Sequence, residues 1–128
     1  MRTDTSRAPA APRFAAALST DSEAERAEAQ VVESVQAALG GARPDLACVF
    51  VSHHYGAALE DLGPRLARAV GAPTLVGTSG VTVIGGSREV EEGPALSLWV
   101  GHLPGTEVRA FDAQFELLKS KASAVAII

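Results

Sequence analysis

A chain of 128 residues has room for one domain and excludes a second independent core. Its 47% hydrophobic content and mean hydropathy of +0.16 exclude wholesale disorder, and with only 5% aromatic residues the core has to be built from Ala, Val, Leu and Ile. A formal net charge of −4 argues against nucleic acid as a partner, one cysteine excludes an intramolecular disulfide, and no apolar run approaches the roughly 20 residues of a membrane span, so a soluble, cytoplasmic protein without nucleic-acid or membrane partners is expected.

Residues 1–13 mix Arg, Thr, Ser, Pro and Ala without periodicity, the composition of a flexible N-terminal arm outside the fold. The domain proper is expected over residues 14–114. It opens with the apolar run Phe14 to Ser19, followed by a capping box at Thr20-x-x-Glu23 or, one register on, Ser22-x-x-Glu25. Ala24, Ala27, Val31, Val35 and Ala38 then recur at spacings of three and four until Gly40-Gly41, which predicts an amphipathic helix docked on one side. Leu46 to Val51 is a continuous apolar run and reads as a strand covered on both faces. Cys48, in the middle of it, is expected to be a buried small hydrophobe.

After a loop at Ser52-His53-His54-Tyr55-Gly56, the residues Leu59, Leu62, Leu66 and Ala69 keep helical spacing. Pro64 lacks an amide hydrogen, so the helix is either kinked there or restarts with Pro64 in its first turn. Gly71-Ala72-Pro73 ends it, and Thr74 to Val76 supplies a third short strand. Beyond Gly77 no helix intervenes: Ala95 to Val100 and Glu107 to Phe111 are strand candidates joined by a turn at Leu103-Pro104-Gly105. The fold class is therefore α/β, with a mixed sheet: a parallel βαβαβ first part, then antiparallel strands, with the helices packed on the sheet.

Known catalytic signatures fail at named positions. Gly77-Thr78-Ser79-Gly80-Val81 begins like a GxSxG nucleophile elbow, but Val81 stands where the last glycine relieves crowding. The same stretch lacks the lysine and hydroxyl of a phosphate loop, since Gly80 to Gly85 is followed by Gly86-Ser87. Gly77, Gly80, Gly85 and Gly86 read instead as positive-φ turn residues between short strands. His53 and His54 lie just past the carboxyl end of the apolar strand, where open α/β sheets bind ligands. Adjacent histidines without a CxxC, HxxxH or acidic partner do not make a structural zinc site. One of them could bind a small molecule or serve as an axial haem ligand, the alternative being a partly exposed loop histidine. Trp99 reads as a core or sheet-packing residue and Glu89, Glu91 and Glu92 as a solvated charge run.

Taken together, these segments resemble the N-terminal half of the FIST domain, a sensory module of intracellular signal transduction. The likeness runs from about Phe14 to Phe111. It is carried by Ala15-Ala16-Ala17-Leu18-Ser19, by Pro44 to Ser52 leading into His53 and Tyr55, by Val76-Gly77-Thr78-Ser79-Gly80 leading to Val83-Ile84-Gly85-Gly86, by Arg88-Glu89-Val90-Glu91, by Gly93 to Leu98, and by Leu103-Pro104-Gly105. The resemblance implies a non-catalytic domain that binds a small ligand, an amino acid or a derivative of one, and signals to a protein partner. It places ligand contacts at Ser52, His53, His54, Tyr55, Thr78, Ser79 and Gly80. Haem-binding relatives that sense nitric oxide imply a second use for a loop histidine, with haem as cofactor. A third reading, from the enzyme class, is a small serine hydrolase using Ser79 with His53, His54 or His102. The chain departs from the family at Val81 and Thr82, where small residues or glycine are usual.

The basic residues from Arg2 to Arg109 are all arginine, whereas the only two lysines, Lys119 and Lys121, fall in the last ten positions. Residues 115–128 are accordingly expected to be an atypical tail, a truncated or frameshifted ending, the alternative being an ordinary C-terminal helix or strand that covers the sheet.

Overall fold

The computed structural model describes residues 11–116 and 123–127. The apolar runs become strands β1 (Arg13–Ser19) and β2 (Leu46–Ser52), and the stretch after the second helix becomes β3 (Thr74–Gly80). Helix α1 (Ala24–Leu39) joins the first pair and α2 (Leu59–Val70) the second. A small hairpin of β4 (Val83–Gly85) and β5 (Arg88–Val90) follows, then the long strand β6 (Leu96–His102). The principal sheet has the order β1-β6-β2-β3. β2 and β3 are parallel neighbours, and β6 lies antiparallel to both β1 and β2, so it splits the first βαβ unit. The fold is α/β with a mixed sheet, as the sequence predicts.

Residues 112–116 and 123–127 form β7 (Asp112–Glu116) and β8 (Ser123–Ile127), an antiparallel pair with the register Asp112↔Ile127 to Glu116↔Ser123. The domain limit expected at Gln114 therefore falls inside β7. Residues 1–10, most of the expected flexible arm, lie outside the described residues, as do 117–122 with both lysines.

Both helices lie on one face of the sheet, and the core forms between them and it. α1 buries Ala27, Val31, Val35 and Leu39; α2 buries Leu62, Leu66 and Val70. The sheet meets them with Ala15, Ala47, Val49, Val51, Leu96, Leu98 and Val100. Each fully buried Leu or Val here contributes about 1.5–3 kcal/mol of transfer free energy. The helical stripe is thus the expected one, displaced by one residue at each carboxyl end: Leu39 and Val70 turn inward while Ala38 and Ala69 stay exposed. A larger side chain removes more apolar surface from water, and one residue is within the 100° width of the stripe.

α1 stops where Gly40 takes the left-handed conformation (φ 59°) and its amide bonds back to the carbonyls of Gln36 and Ala37. Arg13 Nη1 donates to the Leu39 carbonyl at 3.1 Å and places a positive charge at the helix's carboxyl end. Arg13 is therefore the first residue of β1, not the last of an arm. α2 runs through Pro64 without restarting. The helices are clamped together by Arg65, whose Nε donates to Glu28 Oε1 at 2.9 Å and whose Nη2 donates to the Ala58 carbonyl at 2.9 Å.

Several local expectations are corrected. No side chain caps α1 in the manner of a capping box. Asp21 does this work one step earlier in the chain: its Oδ1 accepts from the Glu23 amide at 2.9 Å, and Ser19 Oγ in turn accepts from the Asp21 amide at 3.2 Å. The short side chain of aspartate reaches the amide two residues on, so the entry to the helix is an Asx turn. The segment Glu107 to Phe111 forms no strand. The chain turns at Leu103, where the Thr106 amide bonds the Leu103 carbonyl, and then runs on without regular pairing to Asp112. β6 already has neighbours on both edges, so a hairpin partner for it has nowhere to pair.

Of the four glycines read as positive-φ turns, only Gly86 (φ 59°) is one. Gly77 is required by close approach: a Cβ there would run into the carbonyl oxygen and Cγ1 of Val49 on the neighbouring strand. A Cβ on Gly85 would lie 2.6 Å from Leu18 Cβ. That contact shows where the small hairpin sits, across the Leu18–Ser97 corner of the sheet face opposite the helices. Phe14 and Phe50 on that face stay exposed. β2 is therefore not covered on both sides: Phe50 is 45% exposed and Cys48 only half-buried, although partial burial still pushes its thiol pKa up.

Candidate functional site

Because β1, β2 and β3 run in the same direction, their carboxyl ends share one end of the sheet. The parallel register pairs Phe50 with Thr78, Val51 with Ser79 and Ser52 with Gly80, which brings the two segments singled out in the sequence together at that end. Alternation along β3 sends Thr78 to the open face, beside Phe50, and Ser79 to the helical face, beside Val51.

The seven candidate residues divide by what their polar atoms already do. Ser52 is 1% exposed; its Oγ accepts from the Ala95 amide at 2.9 Å, and its own amide donates to the Ala95 carbonyl at 2.9 Å. Tyr55 is buried, and its hydroxyl donates to the Asp21 carbonyl at 2.8 Å. Burial, seconded by the nearby Asp21 charge, pushes the phenol above its ordinary pKa, so it stays a donor. Both side chains join the end of β2 to other parts of the fold. Gly80 is half-buried at the end of β3.

His53, His54, Thr78 and Ser79 are exposed. The expected loop is a 3-10 helix over His53–Ala58 that runs directly into α2 and is itself broken at Gly56 (φ 58°, ψ −127°). Its tight turn places the His53 and His54 rings one over the other, with centroids 4.4 Å apart. Thr78 Oγ1 donates to the Ser79 carbonyl at 3.1 Å, and the Ser79 hydroxyl has no hydrogen bond to a histidine among the described residues. His102, the third histidine, stands at the other end of the sheet. It follows Gly101, which pairs with Leu46, and five strand residues separate Leu46 from the Val51–Ser79 level, about 16 Å. Its Nδ1 lies 2.6 Å from the Arg43 carbonyl, which only accepts, so this nitrogen carries the hydrogen. The Ser79–His102 pairing of the hydrolase reading is geometrically closed.

Sequence reasoning missed the residue that organises the rim of this end. Asp21 accepts from the Glu23 amide and from Gln30 Nε2, pairs with Arg26 Nε at 3.3 Å, and offers its carbonyl to Tyr55. Ser19 Oγ donates to Gln30 Oε1 beside it. The bond from the Glu23 amide, with smaller help from Arg26 and Gln30, holds the Asp21 carboxyl below its ordinary pKa against the opposing effect of desolvation. The available signal was the Ser-x-Asp-x-Glu spacing at 19–23, an Asx turn overlapping the two capping boxes.

Three concavities are lined by described residues, two of them away from this end. One of about 520 Å3 is bounded by Arg43, Asp45, Arg68 and Pro73 at the amino ends of β2 and β3. One of about 450 Å3 follows the groove between the helices and reaches Ala24 and Ala58 near their amino ends, and another of about 520 Å3 lies at their carboxyl ends. None is lined by His53 or His54. A haem needs an apolar crevice around an axial histidine, and two imidazoles stacked on the surface do not fit one. Among the described residues, no three or more His, Cys, Asp and Glu are grouped to hold a metal ion, and no helix is long and apolar enough to cross a membrane.

No curated protein and no solved structure matches this chain. The family model of the FIST N domain matches residues 45–126, a stretch that starts just before β2, contains the whole candidate site and continues through most of β8. With more than half of its length matched, the chain belongs to the FIST N domain family, a family of sensory domains in signal transduction.

Proposed function

We propose that this domain is the non-catalytic, ligand-binding part of a sensory protein, and that it takes an amino acid or a close derivative at the carboxyl ends of β2 and β3. The observation that carries this reading is the placement of four exposed polar residues, His53, His54, Thr78 and Ser79, at the carboxyl ends of a parallel strand pair. Parallel strands leave their carboxyl-end loops free to grip a ligand while the sheet holds them in place. An amino acid offers groups these residues match: a carboxylate for imidazole and hydroxyl donors, and an ammonium for hydroxyl and carbonyl acceptors. Ser52 and Tyr55 hold the β2 end in place, and the Asp21 network under Tyr55 gives a route from the site to α1 and onward to a signalling partner.

The test is a thermal-shift screen of the folded chain against the standard L-amino acids and their N-acyl derivatives. At a ligand concentration about 100 times Kd, binding stabilises by about 2.7 kcal/mol, which moves Tm by roughly 10 °C in a domain of this size. The His54→Ala and Thr78→Ala chains should melt where the parent does and lose most of the ligand shift. A folded parent whose Tm none of these compounds raises, or a shift that survives both substitutions, overturns the proposal.

A further inference from the structure

The sheet face opposite the helices is uncharged, mostly apolar and only partly covered by the described residues. Reading across β1, β6, β2 and β3, its rows are Leu18–Ser97–Phe50–Thr78, then Ala16–Trp99–Cys48–Val76, then Phe14–Gly101–Leu46–Thr74. None of these residues carries a charge. Trp99 lies over Gly101, whose Cβ would come within 2.7 Å of the indole, and its ring stacks on Phe14 with centroids 5.7 Å apart. β4 covers the Leu18–Ser97 corner and reaches β2, leaving Phe14 56% and Phe50 45% exposed. A contiguous apolar surface of this kind marks an interaction site in a water-exposed protein.

We propose that this face is the interface of a symmetric dimer in which two copies of the chain stack sheet against sheet. Its chemistry selects a like surface: with no charge on the face, nothing calls for a partner of opposite charge, and an apolar β-face is matched by a second apolar β-face packed about 10 Å away. A two-fold axis through the middle row makes the patch complementary to itself. The area suffices for a weak association. Four strands of seven residues span about 19 by 23 Å, roughly 440 Å2 of flat face, and the projecting rings of Phe14, Trp99 and Phe50 add to it. Two copies together bury on the order of 1,000 Å2, the lower limit for a specific interface and the size range of weak associations. The face lies opposite the helical side of the sheet and shares only Thr78, at one corner, with the proposed ligand contacts.

The unliganded chain is examined by sedimentation velocity from about 2 to about 200 µM. The expected result is a reversible monomer–dimer equilibrium. The chain's one tryptophan and one cysteine both lie on the face, so Trp99 emission should move to shorter wavelength and alkylation of Cys48 should slow with the same midpoint. Phe14→Glu and Phe50→Glu, each at an exposed position and checked by circular dichroism, should weaken association at least roughly tenfold. A monomer throughout the range overturns the proposal and leaves the face to a different protein. A dimer in which Cys48 stays as reactive and Trp99 as red as in the monomer overturns it as well, whether or not the variants fold.

Discussion

Ser52→Ala separates a structural role from a ligand contact at the same residue. The parent hydroxyl is the acceptor for the Ala95 amide, and Ala95 is fully buried. Removing the oxygen leaves that amide with no partner and no access to water. The cost is the desolvation penalty of an orphaned donor, about 1–3 kcal/mol, rather than the smaller net worth of an exposed hydrogen bond. For a domain of this size the melting temperature should fall by roughly 5 to 15 °C. Ser79→Ala, at an exposed position in the same end of the sheet, should stay within about 0.5 kcal/mol of the parent. Differential scanning calorimetry of the three chains without ligand measures both. If Ser52→Ala melts within about 2 °C of the parent, the Ser52–Ala95 pair does not hold β2 to the start of β6, and the reasoning from buried donors fails here.

Two further outcomes follow from the same geometry. Gly77→Ala places a methyl group against the Val49 carbonyl, and since neither strand of the β2–β3 pair can give way alone, denaturant titration should show a loss of about 1–3 kcal/mol, toward the upper end of overpacking costs; parent-like stability would mean the two backbones are not held that close. Asp21 has a folded-state pKa below its unfolded one, so its contribution is complete above about pH 5 and disappears as pH falls through the lower, folded value. The difference in Tm between the parent and Asp21→Asn should be constant above about pH 5 and shrink below about pH 4, and a difference that instead grows on acidification refutes the assignment.

Much of the architecture is readable in the order of residues. Apolar positions at spacings of three and four define the buried stripe of a helix whatever it packs against, and Gly40 and Gly71 stop α1 and α2 because an αL residue can close the last turn locally. Leu46 to Val51 announces a central strand by its unbroken apolar run. The carboxyl end of that strand is legible as the place for a site for the same reason: it depends on local chain direction. The division of labour within the site is not legible, since Ser52 and His53 differ in role only because Ala95 lies within reach of one of them.

What the chain order determines by itself, then, is every feature whose partner lies within a few residues: the helices, their ends, the alternation of elements and so the α/β class. The tertiary structure decides what depends on residues brought from far away. It inserts β6 between β1 and β2, turns Gly77 from a turn residue into a point of strand contact, and makes Ser52 and Tyr55 members of the framework. It also leaves one face of an apolar strand open, a fact no periodicity records, because a run of apolar residues specifies that a strand avoids water and not which surface will cover it.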